Sequence, residues 1–111
     1  MIRHIVWWNL KDQADGKDAA ANVWHIHQNS AMLHGDPNVM TVEVANKVEP
    51  STTVSAQTVL TTTHKTMADL EAFRSTSVYK DFIDMVNKLA LSHHVIDFSV
   101  DLDPSLAGMG K

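Results

Sequence analysis

Two stretches of this sequence place large apolar side chains on both faces of an extended chain, and no other feature restricts its folding as much. In residues 2–10, Ile2, His4, Val6, Trp8 and Leu10 share one face, while Arg3, Ile5, Trp7 and Asn9 share the other. β-Branched and aromatic residues dominate, which predicts a strand. Residues 93–101 repeat the pattern, with Val95 on one face and Ile96, Phe98 and Val100 on the other. A sheet holding both strands needs cover on both sides.

Helices supply one cover. Residues 17–34 predict a helix whose inner stripe is Ala19, Val23, Ile26, Ser30 and Leu33, closed by Gly35 and Pro37. Residues 39–48 alternate as a strand, with Met40, Val42, Val44 and Val48 on one face, and residues 57–65 form a Thr-rich third strand. Thr66 caps a short helix carrying Leu70 and Phe73. Ser75-Thr76-Ser77 breaks it and starts a helix over 78–91 with Val78, Phe82, Val86 and Leu89 inward. Asp15-Gly16, His34 to Asn38 and Glu49-Pro50-Ser51 supply the intervening turns. The order β-α-β-β-α-β predicts an α+β, ferredoxin-like sandwich with both helical regions on one face of a four-stranded antiparallel sheet. The first strand then lies between the last and the third. Residues 1–101 form this single domain, and 102–111 are expected to be a flexible tail.

The second cover must come from elsewhere. Ile5, Trp7, Ile96, Phe98 and Val100 fall on adjacent strands of the face without helices. A patch of that kind marks an interface, and burying each large side chain contributes about 1.5–3 kcal/mol. The expectation is a homodimer with sheet packed on sheet.

Composition narrows the function classes. Nine Lys plus Arg against thirteen Asp plus Glu give a net charge of −4, so no nucleic-acid or anionic-membrane partner is expected. Without a cysteine the chain has no disulfide framework, thiolate zinc site or cysteine nucleophile. The apolar run at 5–8 is too short to span a bilayer, and a cytoplasmic location is expected. No Gly-x-Ser-x-Gly or phosphate-binding glycine loop occurs. His25 and His27 point to different sides of a helix, and His93 and His94 to opposite faces of a strand. No metal site is therefore expected, and no cofactor.

Seven histidines remain to be placed. His4 shares the helix-covered face with Asp97 of the neighbouring strand, so a His–Asp hydrogen bond across strands is expected; the carboxylate would fix the imidazole tautomer and raise its pKa. Tyr79 approaches from the broken helix. His4, Asp97 and Tyr79 are thus the candidate catalytic residues. Val6, Trp8, Leu60, Thr62 and His64 are expected to line a half-apolar pocket around them, together with Phe73, Phe82, His93 and Val95.

Met1 to Val6 followed by an apolar pair and Leu10-Lys11-Asp12, then Pro37-Asn38-Val39 with Val42-Glu43-Val44, Leu70-Glu71-Ala72-Phe73, and Val95-Ile96-Asp97-Phe98, resemble the stress-responsive A/B barrel domain from residue 1 to about 101. The resemblance implies a dimeric α+β barrel. Many members of that family carry no assigned activity, others are plant stress proteins, and one relative is a polyketide cyclase. The cyclase works in a pocket between helices and sheet, lined by a strand-one His, a Tyr and a second His. His4 matches the first, Phe73 stands at the Tyr position and Tyr79 at the second His. Thr76-Ser77-Val78-Tyr79 replaces the family's His-Pro-x-x-His-type stretch, so two of the three positions differ. The resemblance thus points first to a dimeric barrel that binds a small apolar molecule between helices and sheet. The alternatives are a cyclase-type enzyme with His4 as acid/base, and a haem-binding or monooxygenase-like member of the wider dimeric barrel fold.

Overall fold

The first strand, β1 (Ile2–Leu10), is the spine of the sheet, and its burial follows its alternation without exception: every even position is buried and every odd one half-buried. A computed structural model describes residues 1–101; the tail expected over 102–111 lies outside the described residues. After β1 come a two-residue hairpin, β2 (Gln13–Ala14) and β3 (Lys17–Asp18), then α1 (Ala19–Asn29), which tightens into a 3-10 turn over Ser30–Leu33. β4 (Thr41–Val44), β5 (Thr58–His64), α2 (Met67–Arg74), α3 (Ser77–Leu89) and β6 (Ala90–Ser99) complete the chain. The main sheet has the order β4-β5-β1-β6, and all its pairs are antiparallel. This is the expected ferredoxin-like α+β arrangement, with β1 between the last and third long strands.

The differences from expectation have local causes. The helix expected over 17–34 starts two residues later because Lys17 and Asp18 pair back on Gln13 and Ala14. Asp15 and Gly16 both have positive φ, 54° and 74°, as a two-residue type I′ hairpin requires, and Asp-Gly suits that turn. Asp18 then caps α1 by accepting the Ala21 N–H at 2.9 Å. Asn22, absent from the expected stripe, is buried in α1 and donates to the carbonyl of Ala14 at 3.1 Å, tying the hairpin to the helix.

The strand expected over 39–48 contracts to four residues, with Met40 exposed. The last helix ends at Leu89, so residues 90–92 belong to β6. Its inner stripe is Tyr79, Phe82, Val86 and Leu89. Val78, expected inward, is exposed, because the Thr76 cap sets a phase that turns Tyr79 toward the sheet instead.

Val6, Trp8, Leu10, Ile26, Leu33, Leu60, Phe73, Phe82 and Val86 form one continuous core between helices and sheet. The helical layer stops short of β6. Val95, on the helix side of that edge strand, is 46% exposed. On the opposite face Ile96 and Phe98 are exposed, and Ile5, Trp7 and Val100 are half-buried.

Candidate functional site

Sheet register brings the first two site residues together. His4 of β1 lies directly opposite Asp97 of β6, with both side chains on the helix side. The His4 imidazole is fully buried, and its Nδ1 is 2.5 Å from Asp97 Oδ1. On the other side of the ring, Nε2 is 2.7 Å from the Tyr79 hydroxyl. Tyr79 is held in place by the start of α3: its backbone N–H donates to Thr76 Oγ1 at 3.1 Å, and its ring meets Phe73 edge-on at 5.0 Å. Arg74, in the last turn of α2, donates from Nη1 to the second carboxylate oxygen of Asp97 at 3.3 Å. The result is a chain of four side chains, Arg74, Asp97, His4 and Tyr79. It is buried at the phenol end and reaches solvent at the Arg74–Asp97 end.

The charges set the protonation states. Burial pushes the His4 pKa below its usual 6.5, and this outweighs the hydrogen bond and negative charge of Asp97, which raise it; the cation of Arg74 lowers it further. The expectation that Asp97 would raise the His4 pKa overall is therefore corrected: desolvation is the larger effect. Burial also pushes the Tyr79 pKa up to about 12; Arg74 opposes this and Asp97 adds to it. At neutral pH His4 is thus neutral and Tyr79 a phenol. With Asp97 as a carboxylate, Nδ1–H donates to it, so Nε2 carries the lone pair that accepts the Tyr79 O–H.

The expected pocket residues fall into two groups. Val6, Trp8, Leu60, Phe73 and Phe82 belong to the packed core. Thr62 and His64 are buried beside it, and each bonds the other, Thr62 Oγ1 lying 2.8 Å from His64 Nε2. His64 Nδ1 lies 2.6 Å from the Asn38 carbonyl, which can only accept, so Nδ1 carries the proton and Nε2 accepts from Thr62. His93 and Val95 are exposed on β6 rather than enclosed. Three surface clefts, of about 610, 530 and 390 Å³, have none of His4, Tyr79 or Asp97 in their linings. The smallest is lined by Phe73, Leu33 and Thr76 among others.

Arg74 is the site residue that sequence reasoning missed. Its one sequence signal is a cation in the last turn of a helix, which many helices carry without further role. Among the described residues no three His, Asp or Glu side chains converge as metal ligands do. His4 and His64 do not fit as axial haem ligands, since both ring nitrogens of each are engaged within the chain.

Residues 2–100 match the family described as the Stress Responsive A/B Barrel Domain. No curated protein sequence matches the chain. Among solved structures, a dimeric ferredoxin-like protein of unknown function from Thermobifida fusca superposes with a TM-score of 0.74 at 10% identity, over 89% of this chain and 90% of that one. A hydroxynitrile lyase from Passiflora edulis gives a TM-score of 0.73 at 15% identity, over 92% and 94%. A protein of the same family from Mesorhizobium loti, also ferredoxin-like, gives 0.66 at 17% identity, over 92% and 97%. At these identities the likeness is one of fold.

Proposed function

Because this chain belongs to the stress-responsive A/B barrel domain family, we propose that it works as a homodimer packed through its open sheet face. Each protomer binds a small, largely apolar, oxygen-bearing molecule at the His4–Tyr79–Asp97 group. The observation that carries the binding part is a neutral imidazole held between a carboxylate and a phenol at the edge of the core. Such a group recognises an oxygen and exchanges a proton with it. The flank of β6 offers the approach: Val95 supplies apolar surface, and the Asp97 side chain is 25% exposed. The dimer draws support from the exposed Ile96 and Phe98, which lie beside Ile5 and Trp7 on the sheet face without helices. The description of the Thermobifida fusca neighbour as dimeric supports it as well.

An acid/base enzyme is the second reading, favoured by the same neutral imidazole. It differs from the cyclase pattern because Phe73 and Tyr79 stand where a Tyr and a His would be needed. The test is a ligand-observed NMR screen of small aromatic phenols and ketones, run on protein whose mass has been fixed by sedimentation equilibrium. The expected results are a mass of twice 12.3 kDa and hits that are lost in Asp97→Ala. A monomer, or a screen without Asp97-dependent hits, overturns the corresponding half of the proposal.

A further inference from the structure

The outer face of α1 is unlike those of the other helices. A helix packed on a sheet ordinarily turns charged residues to solvent. α3 does so with Lys80, Asp81, Asp84 and Lys88, all exposed, and α2 with Glu71. No Asp, Glu, Lys or Arg occurs from Ala19 to His34. The exposed side of α1 and its 3-10 turn is instead Ala20, Ala21, Trp24, Gln28, Ala31 and Met32. Trp24 is 57% exposed, the largest side chain to be so open on this layer. Its indole lies parallel to the His27 ring, with planes 7° apart and centroids separated by 5.9 Å, so it is braced although it faces solvent. A cleft of about 530 Å³ opens beside it, large enough for a bicyclic ring. His27, Gln28 and Ala31 contribute to one wall of the cleft, and Val42, Glu43 and Val44 of β4 form the other.

We propose that α1 forms a second interface between copies of this chain, in which Trp24 of each protomer seats in the α1–β4 cleft of the other. Each copy carries both the knob and the hole side by side, as an isologous two-fold contact requires. Antiparallel α1 helices that set Trp24 against Ala31 place the two-fold axis near His27 and Gln28, about one turn from either residue. The absence of charge identifies the occupant. A two-fold contact sets a surface against itself, so a charge near the axis meets its like and is repelled. The α1 face escapes that penalty, while it offers a charged partner nothing to pair with. Trp is also a residue type that often dominates the energy of such contacts. The inference goes beyond the ligand role and is independent of the sheet-face dimer, because α1 lies on the other side of the sheet from Ile96 and Phe98. With both contacts each protomer has two partners, and the assembly grows from two copies to four or to a chain. One helix face is small against the roughly 800 Å² per partner of a standard interface, so the contact forms at high concentration and dissociates on dilution.

Sedimentation equilibrium over a concentration series up to about 1 mM tests this. The wild-type mass should climb with concentration, beyond twice 12.3 kDa where the sheet-face dimer is present. Trp24→Glu removes the knob and Ala31→Arg fills the hole; both positions are exposed, so the fold is spared, and each variant should abolish this rise. The chain has no cysteine, so Gln28→Cys adds a single thiol near the proposed axis. Mild oxidation should link two copies through it faster than through Lys80→Cys on the outer face of α3, and the advantage should vanish when Trp24→Glu is added. A concentration series identical in wild type and Trp24→Glu overturns the proposal and leaves the face to a different partner. Gln28→Cys that links no faster than Lys80→Cys overturns it as well. Phe98→Glu separates the two interfaces: it removes the sheet-face dimer and should leave a Trp24-dependent step from one copy to two, so loss of either contact is read without the other.

Discussion

His4 and His64 occupy equivalent situations and differ in what they touch. Both are fully buried, both lie on the helix side of the sheet, and both have two hydrogen-bond partners within reach. His64 is closed by neutral groups, a backbone carbonyl and a threonine hydroxyl, and its ring packs on Phe73 with centroids 5.0 Å apart. It fastens the loop before β4 to the end of β5. His4 is closed by a carboxylate and a phenol, and through Asp97 its network reaches an arginine and solvent. Burial and saturation alone therefore do not separate a histidine that only fastens the fold from one proposed to exchange a proton. The chemical identity of the partners does, because only ionisable partners can take or give the proton that the imidazole exchanges.

The largest effect that sharpens this contrast is expected from His64→Ala. It removes a fully buried ring and leaves the Asn38 carbonyl and Thr62 hydroxyl unpaired, for a loss of about 3 kcal/mol in urea unfolding. The Tyr79 phenolate transition, read by ultraviolet absorbance, should stay near pH 12, where burial puts it. If that transition moved with His64, the two histidines would form one network and the comparison would collapse.

His4→Phe should cost somewhat less, about 2 kcal/mol, since a ring of similar size refills the space while Asp97 and Tyr79 lose a partner. Its signature is in pH dependence. His4 has a folded pKa below its unfolded value near 6.5. Between the two values the unfolded chain binds more protons than the folded one, so stability rises with pH across that window. The His4 contribution is complete above pH 6.5 and is lost as pH falls toward the folded value, at no more than about 1.4 kcal/mol per pH unit. Urea titrations from pH 7 to 5 should show this acid-side slope in the parent protein and a shallower one in His4→Phe. Equal slopes would mean that His4 is not the group titrating.

Much of this network was legible in the sequence. The His4–Asp97 pair follows from strand alternation plus one topological choice, and the register makes the two residues direct neighbours. Tyr79 follows from the helix that Thr76 begins. Arg74 could not be read, because its contact depends on where the end of α2 falls over the sheet edge, which no local pattern encodes. The exposure of His93 and Val95 was hidden for a related reason. Strand parity gives a residue's face, but how far the helical layer reaches across the sheet is set by tertiary packing. Asn22 was obscured by its polarity, since a buried amide breaks an apolar stripe, and its role appears only once the Asp15-Gly16 turn is seen to fold back on α1.

Arg74→Gln should have the smallest effect on stability and the most specific effect on the site. The Arg74–Asp97 pair lies at the surface, with the Arg74 side chain 39% exposed. A solvated pair of this kind contributes about 0.5 kcal/mol or less, so the urea midpoint should barely move. The titration of His4 should move, because the guanidinium holds the imidazole pKa down. Without that cation the imidazolium is less disfavoured, and His4 should protonate at higher pH in an NMR titration. Arg74→Lys offers the control, since it keeps a cation at the outer end of the network and should leave the His4 titration nearly in place. A His4 titration that does not move in Arg74→Gln would mean that the cation does not reach the imidazole. A shift in Arg74→Gln that Arg74→Lys does not reproduce would mean that the charge itself acts on His4, and that the His4 network differs from the neutral surroundings of His64 because it is charged at its outer end.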